Sequence, residues 1–498
     1  MMSIDELRRA LHQETAGLRA NMPTARVRRR ATGMRRRRRG VTVAVIFTLA
    51  AAVSGGFYAI RTTPVPPAEP VPAFTTLYYS DGTTVLADFS AAAVTAPVGL
   101  VVNHVLDELS HTDGSPLRGQ SWDAIQHGGY AITTTIDPRA QGVLEQTADS
   151  GVAGSVMAGQ PENLQAAGVV VEPGTGRVLA YYGGPDGLGT DYAGFYFDEQ
   201  NEPTGVGRYP PGSAFMAYTL AAALRAGVSL KSMWRWQPHD QPGRTGDNRI
   251  HNASVCPSNP RGEGCSLVDS VRSSLNVPLY DVTVSVSPAK VLEMARDAGL
   301  DYMWTDDRQR VDLRGVNATQ LVPSRFDTIL GLGQYPVTVL DQANAMATFA
   351  ANGLRAKVHF VRSVALAGKV RYTETLPAKD QPRILNAQQM ADLTYALSAN
   401  GPAIKSGTWE YRNSLDQNAH AWSIGYSSAL AAAIWVGNRA DERALLDKNG
   451  ATIWGSGLPS QILRQVLSQS ATQLGLTSTP FPSPAFIGDV NPLGSLPS

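Results

Sequence analysis

Three short stretches of this chain carry side chains that could share one piece of chemistry. Ser213 lies in residues 209–224, YPPGSAFMAYTLAAAL, directly after two prolines and a glycine. Ser274 and Asn276 sit in SLN, and Lys405, Ser406, Gly407 and Thr408 form KSGT. A Pro-Pro-Gly turn ahead of an unbroken apolar run predicts a helix over 214–224 with Ser213 at its N-terminus. A hydroxyl there faces unpaired backbone N–H groups and the positive end of the helix dipole, which favours negative charge developing beside it. That placement suits a serine nucleophile, and it equally suits a serine that only caps the helix. SLN is ordinarily a polar turn and KSG an exposed strand edge. Their order adds weight: helix N-terminus, helix-adjacent loop, then a late strand.

The elements that must position these residues follow from periodicity and turn signals. Residues 74–90 (FTTLYYSDGTTVLADFS) alternate polar and apolar around an Asp-Gly turn, which predicts a hairpin. A helix is predicted over 97–109 and loop over 110–128. From Gly129 the texture changes. YAITTTIDP predicts a strand, 139–147 a helix, and QAAGVVVEPGTGRVLAYYGG a second hairpin. Further helices are predicted at 267–282, carrying SSLN, and at 289–298, 340–352 and 387–397. Strands are predicted at 359–367 and in IKSGT, AWSIGY and ALAAAIWVG. Central helices between antiparallel-type strands predict an α+β domain whose sheet pairs early strands with late ones. The glycine-rich GGPDGLGTDYAG lacks the Gly-Lys-Ser/Thr ending of a phosphate loop and opens no strong helix.

With 43% hydrophobic and 17% charged residues, the 498-residue chain has the composition of a globular protein with a sizeable core. Its net charge of +1 hides an asymmetry: residues 1–39 hold twelve arginines against Asp5, Glu6 and Glu14. Residues 41–60 follow without a charge and are long enough to cross a bilayer, with arginines placing the N-terminus in the cytoplasm. A retained anchor is the favoured reading; a cleaved signal peptide and nucleic-acid binding by the arginines are the alternatives. Cys256 and Cys265 close a Pro/Gly-rich loop, CPSNPRGEGC, which outside the membrane predicts a disulfide rather than a metal site. No metal or nucleotide cofactor is expected. The expected organisation is a cytoplasmic tail (1–40), a transmembrane helix (41–60), a proline-rich linker and remnant (61–128), a catalytic-type domain (129–470) and a disordered tail (471–498).

Over roughly 129–470 the chain resembles the transpeptidase domain of penicillin-binding proteins, specifically the bifunctional kind that also carries a glycosyltransferase. Besides the three motifs, the similarity rests on GYAITTTIDPRAQ, VVVEPGTGRVLAYYGG, ILGLGQYPVTVLDQANAMATFAANG, NAHAWSIGYSSALAAAIWVGN and IWGSGLPSQI. The resemblance implies a serine β-lactamase-like α+β fold with an antiparallel sheet. It further implies attack by Ser213 on the D-Ala-D-Ala carbonyl of a peptidoglycan stem peptide, and covalent capture of β-lactams by the same serine. In that scheme Ser213, Ser274 and Lys405 are catalytic: Ser274 passes protons to the leaving group, and Lys405 contacts the substrate carboxylate and the Ser274 hydroxyl. Asn276, Ser406, Gly407 and Thr408 bind substrate, Thr408 at its carboxylate, with strand backbone near Thr408 and the Ser213 N–H forming an oxyanion hole. The partners implied are stem peptides, β-lactams, the membrane and cell-wall synthesis proteins, with no nucleic acid.

Two departures stand out. The family signature Ser-x-x-Lys places an amine one helical turn after the serine, and here that position is Met216. A thioether cannot take the hydroxyl proton, and loss of a positioned base costs roughly 10²–10⁴ in rate. Lys405 acting through Ser274 is the substitute the sequence offers. In addition, only residues 91–98 separate the SDGT hairpin from the helix that follows, where bifunctional members hold a long segment. No paired-glutamate motif remains in 61–128, so glycosyl transfer is not expected. Either an attenuated or lost transpeptidase, or an active one, is consistent with these residues.

Overall fold

Leu164–Val171 (LQAAGVVV) is apolar at almost every position, the pattern of a strand covered on both faces. In the computed structural model it is buried along its whole length. The structure describes residues 74–497 except 92–93, 242–248, 379, 399–400, 413 and 415. The arginine-rich segment and the expected anchor at 41–60 lie outside the described residues. No helix among the described residues is long and apolar enough to cross a membrane.

The first elements are β1 (Thr76–Tyr78), β2 (Val85–Asp88), α1 (Gly99–His111), β3 (Tyr130–Thr134) and α2 (Pro138–Ala148). They lead into β4 (Leu164–Val171) and β5 (Val178–Tyr182). The middle of the chain is helical: α3 (Met216–Arg225), α4 (Leu267–Arg272), α5 (Asn276–Val286), α6 (Pro288–Ala298) and α7 (Val339–Ala350). Then come β6 (Val361–Leu366), β7 (Lys369–Thr373) and α8 (Ala387–Leu397). The last elements are β8 (Ala403–Glu410), β9 (Asn418–Tyr426), β10 (Ala431–Asn438) and α9 (Leu458–Leu474).

The main sheet has the order β8–β9–β10–β4–β5 and is antiparallel throughout, so early strands do pair with late ones. Side chains on β4 divide with the period of two that a strand imposes. Ala167, Val169 and Val171 join the core shared with α3 and α7, while Leu164, Ala166 and Val170 join the core shared with α2 and α9. A second sheet, β7–β6–β3–β1–β2, pairs β1 and β3 in parallel and is otherwise antiparallel. The segment from residue 74 to β3 is thereby built into the fold. Half-buried Glu108 of α1 accepts backbone N–H bonds from Phe360 (2.6 Å) and Val361 (3.3 Å), tying that helix to the start of β6.

Three expectations are corrected. The stretch 110–128, expected to be loop, holds a short helix, Trp122–Gln126, capped by the Ser121 hydroxyl, which accepts the Ala124 N–H. The helix predicted over 267–282 is broken into α4 and α5, with Ser274 between them in the left-handed region at φ +53°. Pro278 explains the break: it has no N–H to give the Ser274 carbonyl, and its ring would strike that carbonyl in a continuous helix. The third correction concerns the Pro/Gly/Ser-rich end, expected to be disordered. Its helix α9 runs to Leu474, and the residues beyond form an ordered strap. Thr479 is bonded to Ser428, Phe481 and Phe486 pack against the core, and Leu496 N–H reaches the Met233 carbonyl (2.7 Å). Fully buried Asp392 accepts the N–H groups of Ala485, Phe486 and Ile487 at 2.7, 2.8 and 3.1 Å. Composition counted the strap's few apolar anchors too lightly against its prolines, which also restrict the unfolded chain and so lessen the entropy lost on ordering.

Charge-assisted bonds of this kind are worth roughly 1.5–3 kcal/mol each. Asp392→Ala is therefore expected to release the strap and make the segment after 477 sensitive to limited proteolysis while the sheet stays protected; unchanged cleavage would remove Asp392 as the anchor.

Candidate active site

The chain before Ser213 is held in place by its own aromatic and proline residues. Tyr209 stacks on Trp435 with ring centroids 3.8 Å apart and exchanges backbone bonds with Val337 at 3.0 and 3.1 Å. The carbonyl of Pro210 accepts the indole N–H of Trp422 (2.9 Å). Residues Gly212–Phe215 then form a 3₁₀ turn leading into α3, so Ser213 stands at the N-terminal entry of an almost wholly buried helix. Gly212 adopts φ +52°, and a Cβ there would lie 2.1 Å from the Thr408 carbonyl oxygen. On the facing strand, a Cβ on Gly407 would lie 2.2 Å from the Pro211 carbonyl oxygen and 2.4 Å from the Ala214 nitrogen. The serine turn and β8 therefore touch backbone to backbone.

This contact floors a cleft of about 610 Å³ lined by Ser213, Ser274, Asn276, Ser406, Gly407 and Thr408, among other residues. The three motifs, distant in sequence, are brought together. Lys405 lies behind the lining, 5% exposed, and its Nζ donates to Ser274 Oγ (2.5 Å) and to the Ser406 carbonyl (3.1 Å). Burial lowers its pKa from the ordinary lysine value to about 7. The left-handed turn at Ser274 presents that hydroxyl to the amine. Asn276 begins α5 and donates its amide to the His251 carbonyl (3.1 Å), fixing the opposite wall. Met216, one turn beyond Ser213, is fully buried in the apolar core and is not part of the lining. Among the described residues no lysine lines the cleft, and Ser213 Oγ makes no hydrogen bond.

The cysteine loop backs the same wall. Cys256 and Cys265 form the expected disulfide, their Cα atoms 5.8 Å apart, and pack with Trp236 on Leu275, the residue between Ser274 and Asn276. Sequence reasoning missed other residues of the lining: Arg249, His251, Trp409, Glu410 and Trp454. For Trp409 and Glu410 the signal was adjacency to KSGT on one strand; for Trp454 it was the IWGSG segment, which carried similarity but no assigned role. Arg249 and His251 gave no local signal.

Residues 166–453 match the penicillin binding protein transpeptidase domain. The chain belongs to that family. It is 32% identical over 418 residues to penicillin-binding protein 1A of Mycolicibacterium smegmatis and 29% identical over 414 residues to that of Mycobacterium tuberculosis. These matches cover 80% and 79% of this chain but 48% and 45% of the relatives, so the chain spans about half the length of the curated relatives it matches. The structure of penicillin-binding protein PonA1 from Mycobacterium tuberculosis superposes with a TM-score of 0.64 at 26% identity, covering 81% of this chain and 98% of that one. A second structure of PonA1, in complex with penicillin V, gives a TM-score of 0.62 at 26% identity, covering 80% and 99%. One turn beyond Ser213 this chain has Met216 packed in the core, and Lys405 is held on Ser274.

Two outcomes are expected from this geometry. Gly212→Ala places a Cβ where neither the backbone angle nor the space allows one, and it should cost about 2 kcal/mol or more in urea denaturation; wild-type stability would show that the turn does not seat on β8. Lys405 gives a pH signature. Its folded pKa lies below its unfolded value, so the unfolded chain binds more protons between pH 7 and about 10 and stability rises across that window. The melting temperature of wild type relative to Lys405→Met should climb over that range; a constant gap would mean that the amine is not buried.

Proposed function

We propose that this chain is a membrane-anchored penicillin-binding transpeptidase-family protein of peptidoglycan synthesis. Its cleft binds D-Ala-D-Ala stem peptides and penicillin, with acyl transfer attenuated or lost. The observation that carries this reading is the environment of Ser213. The hydroxyl stands at a helix entry without a hydrogen-bond partner among the described residues and shares the lining of the cleft with Ser406 and Thr408, with a buried methionine where the family places its base. In this reading the cleft retains the parts that recognise a carboxylate-terminated acyl substrate, namely Lys405, Ser406, Thr408 and Asn276, and lacks the group that most directly activates the nucleophile. Relatives named penicillin-binding protein 1A and the penicillin V complex of PonA1 support the ligand class. The short link between β2 and α1, both packed into the domain, supports the absence of a glycosyltransferase insertion and of that activity.

One observation favours a second reading, an active D,D-transpeptidase. Lys405 titrates near neutrality and already contacts Ser274. Near neutral pH a large share of that amine is unprotonated, so Ser274 can hand it a proton taken from Ser213 and return one to the leaving amine. Such a relay acts through one more hydroxyl than a direct base and is correspondingly less effective.

Labelling of the full chain in detergent with a fluorescent penicillin separates the readings. If acyl transfer is attenuated, Met216→Lys should label roughly 10²–10⁴-fold faster than wild type and Ser213→Ala not at all. Wild-type labelling as fast as Met216→Lys, rising with pH through about 7 and lost in Lys405→Ala, would establish the Ser274–Lys405 relay. No labelling of any variant, with melting temperatures intact, would refute penicillin binding.

A further inference from the structure

The cleft continues along β8 beyond the residues that the proposed chemistry uses. Trp409 and Glu410 carry the lining of the cleft along β8 past Thr408. The register of β8 with β9 breaks between Trp409, opposite His420, and Glu410, opposite Asn418. An irregularity of that kind re-aims a side chain and is frequent beside functional sites. Glu410 is half-buried, and among the described residues its carboxylate has neither a hydrogen bond nor an ion pair. Burial pushes its carboxyl above the usual range, and His251 is the opposing charge. Leaving a carboxylate half-buried without a partner is costly, and it is placed to receive a cation from the cleft.

The edge geometry says where that cation comes from. β8 is the terminal strand of the main sheet, so an extended peptide can lie along its outer backbone. This step rests on the reading proposed above, in which the substrate's C-terminal carboxylate meets Ser406 and Thr408. A peptide running antiparallel to β8 from that point carries its preceding residues past Trp409 towards Glu410. At about 3.3 Å per residue, a long side chain from one of those residues spans the remaining distance. Trp409 and Trp454, the latter 40% exposed, offer ring surface for its methylene stem and its charge.

We propose that Glu410 is a specificity-determining residue that binds the side-chain ammonium of a diamino-acid residue in the donor peptide. The cleft thereby reads a cationic side chain as well as the D-Ala-D-Ala terminus. Glu410 takes no part in bond making.

The test is equilibrium binding to the full chain in detergent, by titration calorimetry. Two stem pentapeptides ending in D-Ala-D-Ala serve as probes, one with a free lysine amine at the third position and one with that amine acetylated. A charge-assisted bond should favour the free amine about tenfold in wild type. Glu410→Gln should bring the two affinities together while preserving the loss that follows removal of the terminal D-Ala. Equal affinities in wild type, a comparison that needs no variant, overturn the assignment and leave the underlying reading intact. An equal loss for both peptides in Glu410→Gln also overturns it, because that pattern belongs to a structural role. If neither peptide binds wild type, the underlying reading fails and this inference with it.

Discussion

Where the turn carrying Ser213 meets strand β8, the two segments approach so closely that neither Gly212 nor Gly407 has room for a side chain. Position and orientation of the serine follow from this one contact. The turn is fixed from behind by the stack of Tyr209 on Trp435 and by the Trp422 bond to Pro210. It is fixed from the side by the Gly212 N–H bond to the Gly333 carbonyl (3.0 Å). Each of those partners belongs to a different part of the chain. The helix entry that polarises the serine and the strand that presents Ser406 and Thr408 form one rigid surface, because their backbones are in direct contact.

The electrostatics of the cleft are unusually spare. A buried lysine commonly has a carboxylate to hold its charge, whereas Lys405 has a hydroxyl and a backbone carbonyl. Without an ion pair, the cost of desolvation falls on the charged form and the amine titrates near neutrality. Met216 belongs to the same design. The thioether one turn beyond Ser213 keeps that core apolar. The buried thioether and the lysine that titrates near neutrality are therefore two aspects of one apolar interior.

Much of this was legible in the sequence because the relevant signals are local. Asp81–Gly82 marks the first hairpin, Glu172 to Gly176 the second, and the proline-glycine turn fixes the start of the helix after Ser213. The cysteine loop predicted its own bond. What was not legible depends on distant partners. Nothing near Pro278 says that the helix it interrupts will leave Ser274 in a left-handed turn facing Lys405. Nothing in the proline-rich end announces Asp392, almost a hundred positions earlier, as its anchor. Glu410 looked like the end of a strand, because the irregularity beside it exists only in the pairing with β9.

The strap has a consequence for the order in which the molecule can be completed. Leu496 bonds to Met233 in the short strand Met233–Arg235, which pairs with Gly264–Ser266 and so with the cysteine that braces the wall around Leu275. Synthesis from the N-terminus onward delivers that wall well before it delivers Leu496, far later in the sequence. Until then the wall can carry its covalent crosslink and still lack the support behind it. The covalent crosslink and the strap behind it therefore join the wall at different stages of synthesis, the crosslink first.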